Sequence, residues 1–113
     1  MTIITLCGST KFYDETEKVA RDLSVNGFLV LRTSFYSKSR DNELFERMTE
    51  NEKKYIIEKM IKEHDTMIDM SDGIYVVNPN GYIGESTKRE IEYAKDKGKF
   101  VLYLEGPKDD SKI

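Results

Sequence analysis

Two short stretches hold the residues best suited to do chemistry. The first is Cys7-Gly8-Ser9-Thr10-Lys11-Phe12. A glycine directly after an apolar run lets a ligand come close to the backbone. Hydroxyls and the free amides of a following helix can hold an anion, and Lys11 adds positive charge. The second stretch runs from Asn78 through Gly81-Tyr82-Ile83-Gly84-Glu85-Ser86 to Glu90. Its glycines, set ahead of a helical pattern, make another cradle for an anion or a sugar. Glu90 supplies a carboxylate, a group able to act as a nucleophile or to stabilise a developing cation. Thr87 and Glu90 are also spaced as a capping box, in which the glutamate only satisfies a backbone amide. An ordinary strand-to-helix turn would likewise account for Gly8. Position favours the catalytic reading, because Glu90 is expected in the first turn of its helix, facing the same crevice.

The elements that must hold these stretches follow from periodicity. Thr2–Cys7, Phe28–Arg32, Gly73–Val77 and Phe100–Leu104 are short apolar runs that read as buried strands. Asp14–Val25 has helical spacing at Val19, Ala20 and Leu23, closed by Asn26-Gly27. Thr33–Asn42 reads as a loop. Asn51–Met70 reads as a long helix with Ile57, Met60, Ile61, His64, Met67 and Ile68 on one face. Ser86–Lys97 is the last helix, with Ile91 and Ala94 inward and Gly98 as its stop. The alternation of strand and helix predicts a single α/β domain over 1–105, of the Rossmann-like or flavodoxin-like kind, with a polar tail over 106–113. The expected sheet is parallel, of four to five strands with core order 2-1-3-4 and helices on both faces. In such sheets ligands bind beyond the carboxyl ends of the strands, where the winding reverses. That rule directs attention to the loops after the first and third strands.

Bulk properties narrow the function classes. The formal net charge of −3, with no basic run, argues against a nucleic-acid polymer as partner. No apolar run approaches the ~20 residues needed to span a bilayer, so no membrane partner is expected. One cysteine, Cys7, permits no intramolecular disulfide. With no basic stretch or cleavage site near Thr2, a cytoplasmic location is the expectation. One Cys and one His do not make a zinc set, and neither dinucleotide nor P-loop glycine motifs occur, so neither a metal nor a cofactor is expected. Other carboxylates near the expected crevice are Asp65, Asp69 and Asp72; His64, on the apolar face, reads as a core or rim histidine. Apolar Tyr55, Ile56 and Met67 beside the main stripe of the long helix predict a homodimer or higher homo-oligomer.

Leu6-Cys7-Gly8-Ser9 after the first strand, Asp72 before the third, and Glu90-Ile91-Glu92-Tyr93-Ala94 followed by Gly98-Lys99 together resemble the nucleoside 2-deoxyribosyltransferase superfamily. The small members, including the 2'-deoxynucleoside 5'-phosphate N-hydrolases, are the most similar in pattern, and the likeness runs over nearly the whole chain in element order. The resemblance implies a small-molecule nucleoside or nucleotide as substrate. It implies N-glycosidic cleavage or transfer, with Glu90 attacking the anomeric carbon to form a covalent glycosyl intermediate. It implies assistance from an aspartate near the end of the long helix, Asp65 or Asp69. Gly8, Ser9 and Lys11 would line the sugar, phosphate or base pocket; Phe12, Asn78, Gly81, Tyr82, Gly84, Glu85 and Ser86 complete the candidate substrate-binding residues. Where the pattern places a polar residue against the sugar or its 5' substituent, this chain has Gly84 beside Glu85. A binding module of the same fold, holding a nucleotide or sugar phosphate without turnover, is the alternative. The helix N-terminus is expected to keep Glu90 ionised.

Overall fold

The computed structural model describes residues 1–106. The expected tail over 106–113 lies, beyond Gly106, outside the described residues. Strands β1 (Ile3–Cys7), β2 (Leu29–Leu31), β3 (Gly73–Val76) and β4 (Phe100–Tyr103) form one sheet in the order β2-β1-β3-β4, every pair parallel. Helices α1 (Tyr13–Val25), α2 (Asn42–Glu46), α3 (Glu50–Met70) and α4 (Glu85–Asp96) connect them, with a 3-10 turn at Pro79–Gly81.

The order explains which helix covers which face. The step from β1 to β2 runs one way across the sheet, and the steps to β3 and β4 run the other. Right-handed crossovers therefore put α1 on one face and α3 and α4 on the opposite one. Strand parity then sorts the side chains. Ile4 and Leu6 pack with Val19 of α1 and with Val77. Cys7 turns the other way and packs with Ile68 of α3, Ile74 and Val76 of β3, and Ile91 and Ala94 of α4. So the fold directs the Cys7 thiol at the helix that carries Glu90.

Three expectations need correction. The second strand is shorter than Phe28–Arg32, and at the sheet edge its Leu29 is exposed rather than buried. The polar stretch after it ends in the short helix α2, and one member, Tyr36, is buried. In α3 only His64 and Ile68 are buried, while Ile57 and Ile61 stay 46% and 44% exposed. Length is the reason. A helix of 21 residues spans about 31 Å, whereas a five-residue strand spans about 16 Å. The first half of α3 overhangs the sheet, so its apolar stripe has no sheet beneath it. Thr49 starts this helix with a true capping box, its hydroxyl accepting from the Glu52 amide at 3.1 Å while the Glu52 carboxylate accepts from the Thr49 amide at 2.8 Å.

Candidate functional site

At the carboxyl end of β1 the chain turns through Gly8 with φ of +152°. A Cβ there would lie 2.7 Å from the Val77 carbonyl oxygen, so the close approach of the two strand ends requires glycine. The turn sets Cys7 Sγ 3.3 Å from His64 Nε2, and His64 Nε2 in turn lies 3.7 Å from Glu90 Oε2. Thr87, Ile91 and Ala94 form the buried stripe of α4, and Glu90, three residues after Thr87 and four before Ala94, shares it. This is why a glutamate is carried into the interior, with only 12% of its side chain exposed.

Burial dictates the protonation of the three groups. Desolvation lowers His64 from 6.5 to about 4, so its imidazole is neutral at physiological pH. Burial, with Glu90 alongside, pushes the Cys7 thiol well above its usual range. Glu90 is raised from 4.5 to about 7, chiefly by burial; the Arg89 guanidinium pulls it down and the Asp65 carboxylate pushes it up. The expectation of a carboxylate held ionised by the helix N-terminus is thus overturned. The helix begins at Glu85, so Glu90 is its sixth residue and beyond the first turn, where the dipole acts. The capping box is absent for the same reason: Gly84 is the N-cap, without a side-chain cap, and Thr87 lies inside the helix.

The other candidates divide into those gathered at this site and those committed elsewhere. Asp65 stands near Glu90 but pairs with Arg89, Oδ1 to Nη2 at 2.8 Å. Asp69, one turn on, accepts from the Tyr93 hydroxyl at 2.8 Å and ties α3 to α4. Asp72 accepts from the Ile3 amide at 2.7 Å, at the amino end of the sheet and away from the crevice. The Asn78 side chain is fully buried and doubly bonded to the Glu105 backbone, accepting at 3.0 Å and donating at 2.8 Å. Glu85 is exposed and meets Lys88 at 3.3 Å. Gly81 ends the 3-10 turn, while Gly84 and Ser86 begin α4.

The two candidate loops touch: Lys11 Nζ lies 3.6 Å above the centre of the Tyr82 ring, and Phe12 meets that ring edge-on at 5.8 Å. The cleft itself opens on the other side of the first loop from where the sequence places it. It is lined by Cys7 and His64, by Gly8, Ser9 and Thr10 of the first loop, and by Arg32, Thr33 and Tyr36. Its cavity volume is ≈ 20 Å³, room for about one water molecule and far below the roughly 300 Å³ at which small-molecule clefts begin. Glu90 lies against Cys7 and His64 rather than on the cleft wall.

Sequence reasoning missed Arg32, Thr33 and Tyr36, although the same strand-end rule that singled out Gly8 applies equally to the end of β2. It also missed the cluster of Cys7, His64 and Glu90, whose sulfur, nitrogen and oxygen atoms all lie within 4.8 Å of one another. One Cys and one His become a possible three-donor set for a soft divalent ion once a carboxylate joins them. Such an ion would have to deprotonate a thiol whose pKa burial has already raised.

Comparisons with protein-family models, curated proteins and solved structures found no match for this chain. Function therefore has to be argued from the site.

Proposed function

We propose that this domain breaks or transfers the N-glycosidic bond of a deoxynucleoside or nucleotide, with Glu90 as nucleophile. The observation that carries the reading is a buried carboxylate with a pKa of about 7, set beyond the carboxyl ends of a reversing parallel sheet. Half ionised near neutrality and poorly hydrated, such a group suits attack on an electron-poor carbon. A Glu90 oxygen would bond to the anomeric carbon as the C–N bond breaks, its electron pair leaving with the base, which takes up a proton. Water or a second base would then displace the carboxylate, giving hydrolysis or transfer. The resemblance to the nucleoside 2-deoxyribosyltransferase superfamily supports the same assignment. Incubation with deoxynucleosides and their 5'-phosphates, followed by mass spectrometry for a deoxyribosyl adduct on Glu90, tests it. No turnover and no adduct across a broad panel would sink it.

A second reading, a binding module without turnover, is favoured by one observation: Glu90 faces His64 and not the open cleft. Nucleotide binding without cleavage would select it.

We further propose a homo-oligomer, formed through the overhanging half of α3. Tyr55, Ile57 and Ile61 are exposed there, whereas Ile56 and Met67, which the sequence suggested, are partly covered. Sedimentation equilibrium showing a monomer at micromolar concentration would overturn this.

A further inference from the structure

Half of one sheet face has no helix on it among the described residues. Val101 and Tyr103 of β4 pack into the core beneath α3 and α4. By strand parity Phe100, Leu102 and Leu104 point to the opposite face, the one that α1 covers. There α1 lies over β1, where Val19 meets Ile4 and Leu6, and over β2. Above β3 and β4 the face is open, and Phe100, Leu102 and Leu104 are left 40%, 45% and 39% exposed. The Phe100 ring lies across its β3 neighbour Gly73, filling the space a side chain there would take. Parallel sheets are normally buried on both faces, so this half of the sheet lacks one layer. The first half of α3 has the converse defect. Lys54, Ile57 and Ile61 continue, at steps of three and four residues, the stripe that His64 and Ile68 bury farther along, and they have no sheet beneath them.

We propose that the overhanging half of α3 docks on the open β3–β4 face of a second copy of this chain, and that the contact is made twice about a two-fold axis. This deepens the homo-oligomer reading and rests on it. Size and charge argue for this occupant. Two neighbouring strands present a strip roughly 10 Å wide, which is about the diameter of one helix. From Phe100 to Leu104 the strip is about 13 Å long, and from Lys54 to Ile61 the helix is about 11 Å long. Burial and Asp22 of α1 both raise the Tyr75 hydroxyl of β3, which places that carboxylate on the border between α1 and the open face. Neither Asp22 nor Lys54 has an ion-pair partner among the described residues. Ile57 and Ile61 of one copy would lie on Leu102 and Leu104 of the other, with Lys54 against Asp22. Each copy offers one helix half and one sheet face, so two copies satisfy each other and the assembly closes. A contact between two α3 helices would leave Phe100, Leu102 and Leu104 uncovered.

The test is complementation between variants, read by sedimentation equilibrium, with circular dichroism to show that each variant is folded. Leu102→Lys spoils the sheet face and Ile57→Lys spoils the helix; Leu104→Lys is a second reporter of the sheet face. Each alone should raise the dimer dissociation constant about ten-fold or more. Mixing Leu102→Lys with Ile57→Lys should restore association in part, because the intact helix of one meets the intact face of the other. Asp22→Lys or Lys54→Asp should each weaken the dimer about three-fold, and both changes in one chain should recover it. If Leu102→Lys and Leu104→Lys associate like wild type while Ile57→Lys dissociates, the sheet-face assignment is overturned and the oligomer through α3 stands. If all three dissociate and the mixture stays monomeric, the pairing of helix with sheet is overturned. Unchanged association in every variant removes α3 and the sheet face together from the interface. A wild-type monomer at micromolar concentration overturns both this assignment and the homo-oligomer, and leaves the open face to a different protein.

Discussion

His64 Nε2 and Glu90 Oε2 lie 3.7 Å apart in the interior, and burial drives their pKa values toward each other's ordinary range: the imidazole falls to about 4 and the carboxyl rises to about 7. Near neutrality the imidazole is therefore uncharged, while Glu90 alone changes charge. Two buried groups that would form an ion pair in water are thus held short of one, since desolvating both charges exceeds the gain from pairing them at this distance.

That relationship gives a stability signature. A carboxyl raised in the native state contributes stability below its unfolded pKa of 4.5, and loses it as pH rises through about 7. An imidazole lowered in the native state contributes stability above 6.5, and loses it as pH falls through about 4. Between pH 4.5 and 6.5 the two slopes oppose each other. Chemical denaturation of Glu90→Gln should show stability falling on acidification across this window. His64→Gln should show it falling as pH rises toward 7. Each effect is bounded at about 3 kcal/mol. Identical pH profiles in wild type and both variants would contradict the assignment.

Activity carries its own pH dependence. An attacking carboxylate must be ionised, so kcat/KM should rise with pH and level off above about 7, the value to which burial raises Glu90. A profile that instead declines through pH 7 would make Glu90 a proton donor.

Replacing Glu90 by Gln should lower turnover by about three orders of magnitude or more while ligand binding persists. The fold should tolerate the change, because Glu90 caps no helix. Glu85→Gln is the control: that side chain is exposed and meets only Lys88, so near-normal rates are expected. Equal losses in both variants would reject the nucleophile.

Lys11→Ala separates phosphate recognition from loop contact. Its ammonium rests on Tyr82 and forms no ion pair among the described residues. Binding of a 5'-phosphorylated ligand should weaken more than binding of the unphosphorylated nucleoside, with calorimetry as the measurement. Equal losses would confine Lys11 to holding Tyr82.

Gly8→Ala should destabilise the domain by about 1–3 kcal/mol, since the added methyl would meet the Val77 carbonyl at 2.7 Å and φ is +152°. A melting temperature within about 2 °C of wild type would show that the strand ends can separate freely.

The single Cys and His matter only in their folded setting. Zinc or cadmium should inhibit turnover by engaging Cys7, His64 and Glu90 together, and a chelator should restore it. Cys7→Ser should blunt the inhibition; inhibition unchanged in that variant would place the ion elsewhere.

The sequence by itself determined the architecture. Four apolar runs separated by helical patterns allow few arrangements, right-handed crossovers reduce them to a handful, and the expected order 2-1-3-4 is the one observed, β2-β1-β3-β4. It also located the glycine turn after β1 and Glu90 as residues of interest. What lay beyond it was every property that depends on neighbours distant in the chain. Thr87 and Glu90 carry the spacing of a cap, but Gly84 starts the helix, and only packing decides that Glu90 points inward. Its pKa of about 7 and the neutral state of His64 come from burial, which a linear pattern does not quantify. Asp65, Asp69 and Asp72 are alike in the sequence; Arg89, Tyr93 and the Ile3 amide, each 24 or more residues away, give them separate roles. Tyr36 sits in a polar stretch that reads as surface, and its burial follows from the loop folding back on Thr10 and α1. Periodicity reports how a segment meets the core as a whole; the tertiary structure decides which individual polar group is sealed in with it, because that depends on where the chain returns.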